Sequence, residues 1–348
     1  MNENLSNQLT HNPKNAVTKS IHREVWQGKP AVQKVLSSVN QAETPKEWRA
    51  SSNPRHWNYW LREWHIYRSP LNEALEGSGV RLASSFELIE SEHEAVLVLE
   101  GLSGRSGHDL TWQDYALIAR NWGQAQGRLA ESDYLAQPWT SQHFLREYTQ
   151  SKPVDYALLD DKKVWELALI RESWPQALQE GLQLLHREAG TLYEIMETAR
   201  QVPSHLDFWP NNVFVTDGDV VPVDWAFFGS GALGEDVGNF IPDAVFDGFV
   251  DGEDIAKLES TMIDAYEAGL SETCDIESPV RTTVFASAVK YVWLGPLLLE
   301  RAAQRQYSAY GGGEISEEQA IEQYRSRGLA LMRLCEWAEQ ALMDKNLE

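Results

Sequence analysis

Five polar side chains interrupt the apolar stretch SHLDFWPNNVFVTDGDVVPVDWAFFG at residues 204–229: His205, Asp207, Asn211, Asn212 and Asp224. A hairpin with no task beyond folding needs neither carboxylates nor amides at both its ends. Phosphoryl transfer from ATP does need them. It asks for one carboxylate to orient and deprotonate an attacking hydroxyl, oxygen ligands for Mg²⁺, and a cation over the phosphates. Asp207, Asn212 and Asp224 are of the right types, because Mg²⁺ takes hard oxygens from carboxylates, amides and water. The spacing supplies closure. Val213 to Val215 leaves as a strand, Asp217-Gly218-Asp219 reverses it, and VVPVD returns, so antiparallel pairing brings Asp224 back beside Asp207 and Asn212. The plainer alternative is a solvated turn, with Asp207 capping a helix and the asparagines filling the turn. It leaves the return of Asp224 unexplained.

The elements that must position these residues follow from hydrophobic periodicity. Residues 16–36 predict two strands joined at Gln27-Gly28-Lys29-Pro30, with Val32, Lys34 and Leu36 on one face. After a polar link at 37–53, Asn53 as cap and Pro54 at the first helical position predict a helix. Trp57, Trp60, Leu61 and Trp64 would share one of its faces, with Glu63 beside them. VRLASSFELIE and HEAVLVLEGL predict two more strands. Beyond the connector SGRSGHD, residues 112–131 and 162–201 have helical periods, and helices resume after the hairpin. The last starts at Ser316 with a Ser316/Gln319 capping box. These elements predict an α+β fold of two lobes: a flexible start at 1–15, a strand-rich lobe at 16–103, and a larger, mostly helical lobe at 104–348. A cleft between unlike lobes is the natural binding place.

HLDFWPNN, a His-x-Asp-x4-Asn pattern, and PVDWAFFGSGALGEDVGNF together resemble the aminoglycoside phosphotransferase and choline kinase family. The resemblance implies a protein-kinase-like fold in which Asp207 is the catalytic base, Asn212 and Asp224 hold Mg²⁺, and His205 and Asp236 support the loop. It further implies a strand lysine on the ATP phosphates, held by a helix glutamate. Lys34 and Glu63 fill these roles, with Lys29 as a weaker alternative to Lys34. Val32 would then pack on the adenine, and VLVLEGL would be the hinge, binding adenine through backbone groups around Glu100 to Leu102. The chain departs from the family at Trp209 and Asn211, where His and Gly are common; Asn211 can replace glycine by adopting a left-handed turn conformation. Residues 1–27 contain no glycine, so Thr18 and Ser20 become the expected members of the phosphate-covering loop.

Composition bounds the reading. A net charge of -22 over 348 residues argues against a nucleic-acid partner and fits a cationic small molecule. The segment DAVFDGFVDGED carries Asp243, Asp247, Asp251, Glu253 and Asp254, which either hold an amine or cap the helix starting near Ile255. Tyr291 and Trp293 either line the acceptor pocket or only pack. The 14 tryptophans predict mainly core packing. Cys274 and Cys335 form no metal or redox spacing. No run of eighteen apolar residues suggests a membrane span, and the polar N-terminus suggests a cytoplasmic protein. The expected activity is ATP- and Mg²⁺-dependent transfer to a hydroxyl of a small molecule: an antibiotic such as an aminoglycoside, an amino alcohol or a related metabolite. GTP would use the same parts. The competing expectation is a catalytically silent kinase fold that binds ligands or regulates. A protein kinase is disfavoured, because no activation segment ending in Ala-Pro-Glu is found.

Overall fold

In a computed structural model the protein is described over residues 8–9, 11–274, 280–307, 313 and 315–346. Strands β1 (Thr18–Trp26) and β2 (Lys29–Ser37) form a hairpin whose turn residues, Gln27 and Gly28, have φ of 49° and 83°. Two successive positive φ angles match the twist of a tight hairpin, and glycine accepts the second without a Cβ clash. With β3 (Ser85–Glu90) and β4 (Glu94–Glu100) they make an antiparallel sheet in the order β1-β2-β4-β3. Lys34 therefore sits on a central strand, paired with Ile21 on one side and Leu97 on the other. Like Leu36, it is on the buried face. A lone ammonium there would be costly, so it must find carboxylates.

The helix expected from Asn53 begins only at Arg62 and ends at Arg68. Residues 53–61 are successive turns with an isolated bridge between Ser51 and Tyr59. The cause is the Arg62 guanidinium, which is fully buried. It donates to the carbonyls of Pro54 (3.1 Å), His56 (2.6 Å) and Trp57 (2.8 Å), and to those of Trp139 and Ala226, both at 2.8 Å. A helix through 54–57 would commit the first three carbonyls to its own N–H groups. The four apolar residues are all buried but do not share a face. Trp60, Leu61 and Trp64 join the main core, while Trp57 packs with Phe144, Leu206 and Phe227 in a second, aromatic cluster.

The larger lobe is mostly helical. Its first long helix, Trp112–Leu129, carries a capping box of Thr111 and Asp114. Four short helices follow between Lys162 and Thr198. The final helix, Glu317–Lys345, starts with the expected Ser316/Gln319 box. Val280–Gln304 is long and apolar enough to cross a membrane, yet 72% of its most apolar window is buried in the protein. It is also broken at the 3-10 turn Ser287–Tyr291, as suits a core segment. Two small sheets complete the lobe: β5 (Gln201–Ser204) with β8 (Gly229–Ala232), and β6 (Val213–Thr216) with β7 (Asp219–Pro222). The β6–β7 hairpin reaches both the strand-rich lobe and the chain leaving it, since Val80 bridges Val220 and Arg105 bridges Val215.

Candidate active site

The hairpin closes as its spacing requires. Val213 pairs with Pro222, and the Val223 N–H donates to the Asn212 carbonyl at 2.8 Å. Asp217 and Gly218 make the reversal at φ of 52° and 90°. Two site residues are themselves left-handed: Leu206 at φ 67° and Asp224 at φ 61°. Such backbone costs about 1–3 kcal/mol and persists only where its surroundings enforce it. Asn211 is not left-handed, because Pro210–Asn212 forms a 3-10 turn. The strain that sequence assigned to Asn211 falls instead on Leu206, just before Asp207, and on Asp224.

Asp236 supplies the enforcement. Fully buried, its carboxylate accepts the N–H groups of His205 (2.9 Å) and Leu206 (2.8 Å) and the indole N–H of Trp122 (3.1 Å). His205 links the loop to the hairpin: Nε2 lies 3.0 Å from the Val223 carbonyl, and Nδ1 accepts the Asp207 N–H at 3.3 Å. These partners require a neutral ring with its proton on Nε2. Burial pushes the His205 pKa down to about 4, against the pull of Asp224, so the ring meets that requirement.

Asn212 donates its amide N–H groups to the Asp207 carboxylate at 2.9 Å and to the Asp207 carbonyl at 3.0 Å. Its Oδ1 makes no hydrogen bond among the described residues. The Asp224 side chain is 42% exposed at the same end of the hairpin. An unbonded amide oxygen beside an accessible carboxylate is a hard-oxygen donor set, which fits Mg²⁺. Burial, and then the Asp224 charge, push the Asp207 pKa up to about 7, while Lys290 opposes them.

The strand lysine and helix glutamate meet. Lys34 Nζ lies 2.6 Å from Glu63 Oε2 and 2.8 Å from Asp224 Oδ1. Burial lowers the Lys34 pKa, but Asp224 and Glu63 more than offset it, and the net shift is upward. Lys29 is exposed, with its ammonium 5.9 Å from the Phe86 ring. Val32 is half-buried two residues before Lys34, paired with Leu99. The Glu100 carboxylate is occupied by Arg81 at 2.9 Å and by the Ser84 N–H at 3.0 Å, and the Glu100 N–H bonds the Ser84 carbonyl at 2.8 Å. Gly101 donates to Pro30 at 3.0 Å. Leu102 is the residue of this segment whose N–H and C=O make no hydrogen bond among the described residues, so both its backbone groups are open.

Thr18 and Ser20 do not lie in a covering loop. Both are in β1, and Ser20 pairs with Val35. A short edge precedes them, where Gln8 bridges His22 and the Leu9 N–H donates to Ile21 at 3.0 Å. Between these segments, the Asn12 and Asn15 side chains accept the Lys14 and Val17 N–H groups at 3.0 and 3.1 Å. Asparagine makes such turns without glycine, which is why a search for glycine finds nothing there. These turns include residues that the sequence assigns to a flexible start.

On the acceptor side the acidic segment divides. Asp251 caps the 3-10 turn Gly252–Asp254 by accepting the Glu253 N–H at 2.9 Å, just before the helix Ile255–Ser271. Asp243 lies 3.4 Å from the ammonium of the buried Lys290. Burial, then Asp243, push the Asp247 pKa up to about 7. Tyr291 is buried and donates to the Asn239 carbonyl at 2.8 Å, so it packs. Trp293 is half-buried, and its ring lies 5.4 Å from the Lys152 ammonium. Trp209 stands 5.9 Å from Phe249, which meets His108 at 4.6 Å. Sequence reasoning missed Arg62, Tyr148, Lys152 and Lys290. Only Lys290 left a signal, as the one charge in SAVKYVWLGP. A groove of about 520 Å³ lined by Trp64, His65, Arg68, Tyr134 and Trp139 involves none of the polar site residues.

Comparison with known proteins agrees with this geometry. The model of the phosphotransferase enzyme family (APH) matches residues 71–270. Among solved structures, an amicoumacin kinase bound to AMP-PNP and Ca²⁺ has a TM-score of 0.55 at 12% identity, covering 96% of this chain and 94% of its own. An aminoglycoside phosphotransferase from Alicyclobacillus acidocaldarius has a TM-score of 0.50 at 18% identity, covering 97% and 94%. At these identities the likeness is one of fold: a strand-rich lobe and a helical lobe, as in kinases. No curated protein sequence matches the chain.

Proposed function

Since the chain belongs to the phosphotransferase enzyme family, we propose that it transfers the γ-phosphoryl group of ATP, with Mg²⁺, to a hydroxyl of a small molecule. The observation that carries this reading is the Lys34 ammonium bridging Glu63 and Asp224 at 2.6 and 2.8 Å. It joins the strand-rich lobe to the hairpin that returns beside Asp207. Residues 16–103 would hold the nucleotide, with Val32 and Leu102 at the adenine and Lys34 on the α and β phosphates. Asn212 and Asp224 would hold Mg²⁺, which when bound neutralises charge on the phosphates.

Each protein group then has one task. Asp207 accepts the proton of the acceptor hydroxyl as its oxygen attacks phosphorus. Asn212 holds the Asp207 carboxylate through its amide N–H at 2.9 Å, so a single side chain orients the base and offers its other end to the metal. His205 and Asp236 fix the backbone that presents Asp207. Glu63 keeps Lys34 extended towards the cleft. Electrostatic preorganisation of this kind supplies most of what phosphoryl transfer needs.

The test is ADP release from Mg-ATP across hydroxylated amines, hydroxy acids, antibiotics and sugars, with Asp207→Asn beside wild type. Release stimulated by one acceptor and lost in the variant is the expected result. A competing reading as a silent binder draws on the absence of glycine from residues 1–27. It predicts Mg-ATP binding without turnover for any acceptor. Loss of both ATP and GTP binding would defeat the proposal.

A further inference from the structure

Lys152, just beyond the helix Phe144–Gln150, is held by aromatic rings instead of by acids. Its ammonium lies 3.5 Å from the Tyr148 ring centroid, 4.4 Å from Trp48 and 5.4 Å from Trp293. The Trp48 and Tyr148 planes meet at 77°, making two walls at near right angles. Among the described residues no carboxylate stands within 4 Å of this ammonium, and it makes no hydrogen bond. Cation–π contact stabilises the charge but leaves its N–H donors unused.

The cage borders the catalytic loop. Tyr148 packs 6.3 Å from Phe227, three residues beyond Asp224. Lys290 is a second cation close enough to depress the Lys152 pKa, after burial, to about 7, while Glu47 and Asp207 oppose the shift. The acidic segment does not pair with Lys152: Asp243 is engaged with Lys290, and Asp251 serves as a cap. The Lys152 ammonium, with unused donors and a second cation nearby, is relieved by an anion. A cationic acceptor group would instead find the cage filled.

We propose that Lys152 is a specificity-determining residue: its caged ammonium receives an anionic oxygen group, carboxylate or phosphate, on the hydroxylated acceptor. This rests on the phosphotransferase reading of the same cleft. The acceptor class becomes hydroxy acids and their phosphorylated equivalents, not simple amino alcohols.

Trp48 and Trp293 flank Lys152, so tryptophan fluorescence and calorimetry report binding directly, without turnover. The full chain is titrated with 3-hydroxypropionate, inorganic phosphate, the neutral 1,3-propanediol and choline. Wild type and Lys152→Arg should bind an anion at least about tenfold more tightly than the diol, as a charged hydrogen bond predicts. Lys152→Met should lose that preference while retaining its melting temperature within a few degrees. Three results would overturn the proposal: an anion preference that survives in Lys152→Met, no binding of either anion to wild type, or choline binding that wild type favours or that Lys152→Met gains tenfold. Mg-AMP-PNP affinity is measured in parallel. Anion binding without nucleotide binding would defeat the phosphotransferase role and leave the anion anchor standing. Nucleotide binding without anion preference would defeat the anchor alone.

Discussion

The cleft holds its positive charges in two different ways. On the nucleotide side, Lys34 is buried between Glu63 and Asp224, at 2.6 and 2.8 Å. On the acceptor side, Lys152 lies against aromatic rings, the nearest at 3.5 Å. The first arrangement is compensated before any ligand arrives, which locks the lysine in place and ties one lobe to the other. The second keeps its hydrogen-bond donors open. A common cosubstrate can be met by a rigid, self-neutralised site. A particular acceptor is better selected by charge that the protein leaves uncompensated. The largest test of this contrast lies where the halves meet. Asp207→Asn should lower kcat by roughly 100- to 10,000-fold, the usual worth of a positioned base. Affinity for Mg-AMP-PNP should change little, because Lys34, Asn212 and Asp224 remain. Comparable loss of nucleotide affinity would show that Asp207 belongs to the nucleotide half.

The compensated half should fail by unbalanced charge. Lys34→Met leaves Glu63 buried without its cation, which costs about 3–5 kcal/mol and should appear as a large fall in melting temperature. Adding Glu63→Gln removes the orphaned charge, so the double variant should be more stable than Lys34→Met, although nucleotide affinity stays low. If the double variant is no more stable than the single one, the pair is not the unit that the distances imply. Arg62 sharpens the point, being a buried cation with no carboxylate within 4 Å among the described residues. Burial lowers its pKa to about 9, so it remains charged at neutral pH and is balanced by five carbonyl dipoles. Arg62→Met should cost about 2–3 kcal/mol, since buried acceptors lose their donors. Arg62→Lys should rescue little, having three donors where the guanidinium has five. Full rescue by lysine would mean that charge, not the fork of donors, holds the 53–61 turns.

How legible these regions were in the sequence depends on where their partners lie. The hairpin from Asp207 to Asp224 is local: both ends, the turn and the strands fall within 18 residues, so spacing alone closes it. Lys34 and Glu63 were legible through periodicity and family resemblance. Arg62 was not, because its carbonyl partners come from 54–57, Trp139 and Ala226, and backbone carbonyls carry no sequence signal. The same guanidinium overrode the helix that Asn53-Pro54 encodes. Lys152 was invisible for a related reason, since Trp48 and Trp293 come from distant parts of the chain. Thr18 and Ser20 were misplaced because glycine was the feature sought, whereas asparagine side chains make the turns that precede β1.

Proton affinity offers a finer probe of Asp207 as the proposed base. Asp207 must be ionised to take a proton, and in the free protein burial and Asp224 raise its pKa to about 7. Activity limited by this group therefore exists above pH 7 and is lost as pH falls through it. kcat/KM should drop about tenfold for each unit below that point. Bound Mg²⁺ adds positive charge nearby, so the midpoint of kcat should lie lower than that of kcat/KM. The residual activity of Asp207→Asn should lack this limb. A limb of the same midpoint in the variant would assign the titration to another group, and Asp247, whose carboxyl burial and Asp243 raise to about 7, is the first to examine.

The smallest effect concerns the hinge. Glu100 borders the nucleotide site in sequence, but its carboxylate is committed to Arg81 and the Ser84 N–H. The pair is about 30% exposed on each side, and such ion pairs contribute about 0–1 kcal/mol. Glu100→Gln should therefore shift Mg-AMP-PNP affinity by no more than a few-fold. Leu102→Pro is the informative companion, because it removes an N–H that makes no bond within the described protein, while also fixing φ and trimming a half-buried side chain packed on the core. Adenine recognition through that backbone group predicts a loss of about tenfold, with a smaller fall in melting temperature than Lys34→Met shows. If Glu100→Gln weakens nucleotide binding more than Leu102→Pro, the carboxylate itself reaches the base, and the hinge must rearrange when ATP enters.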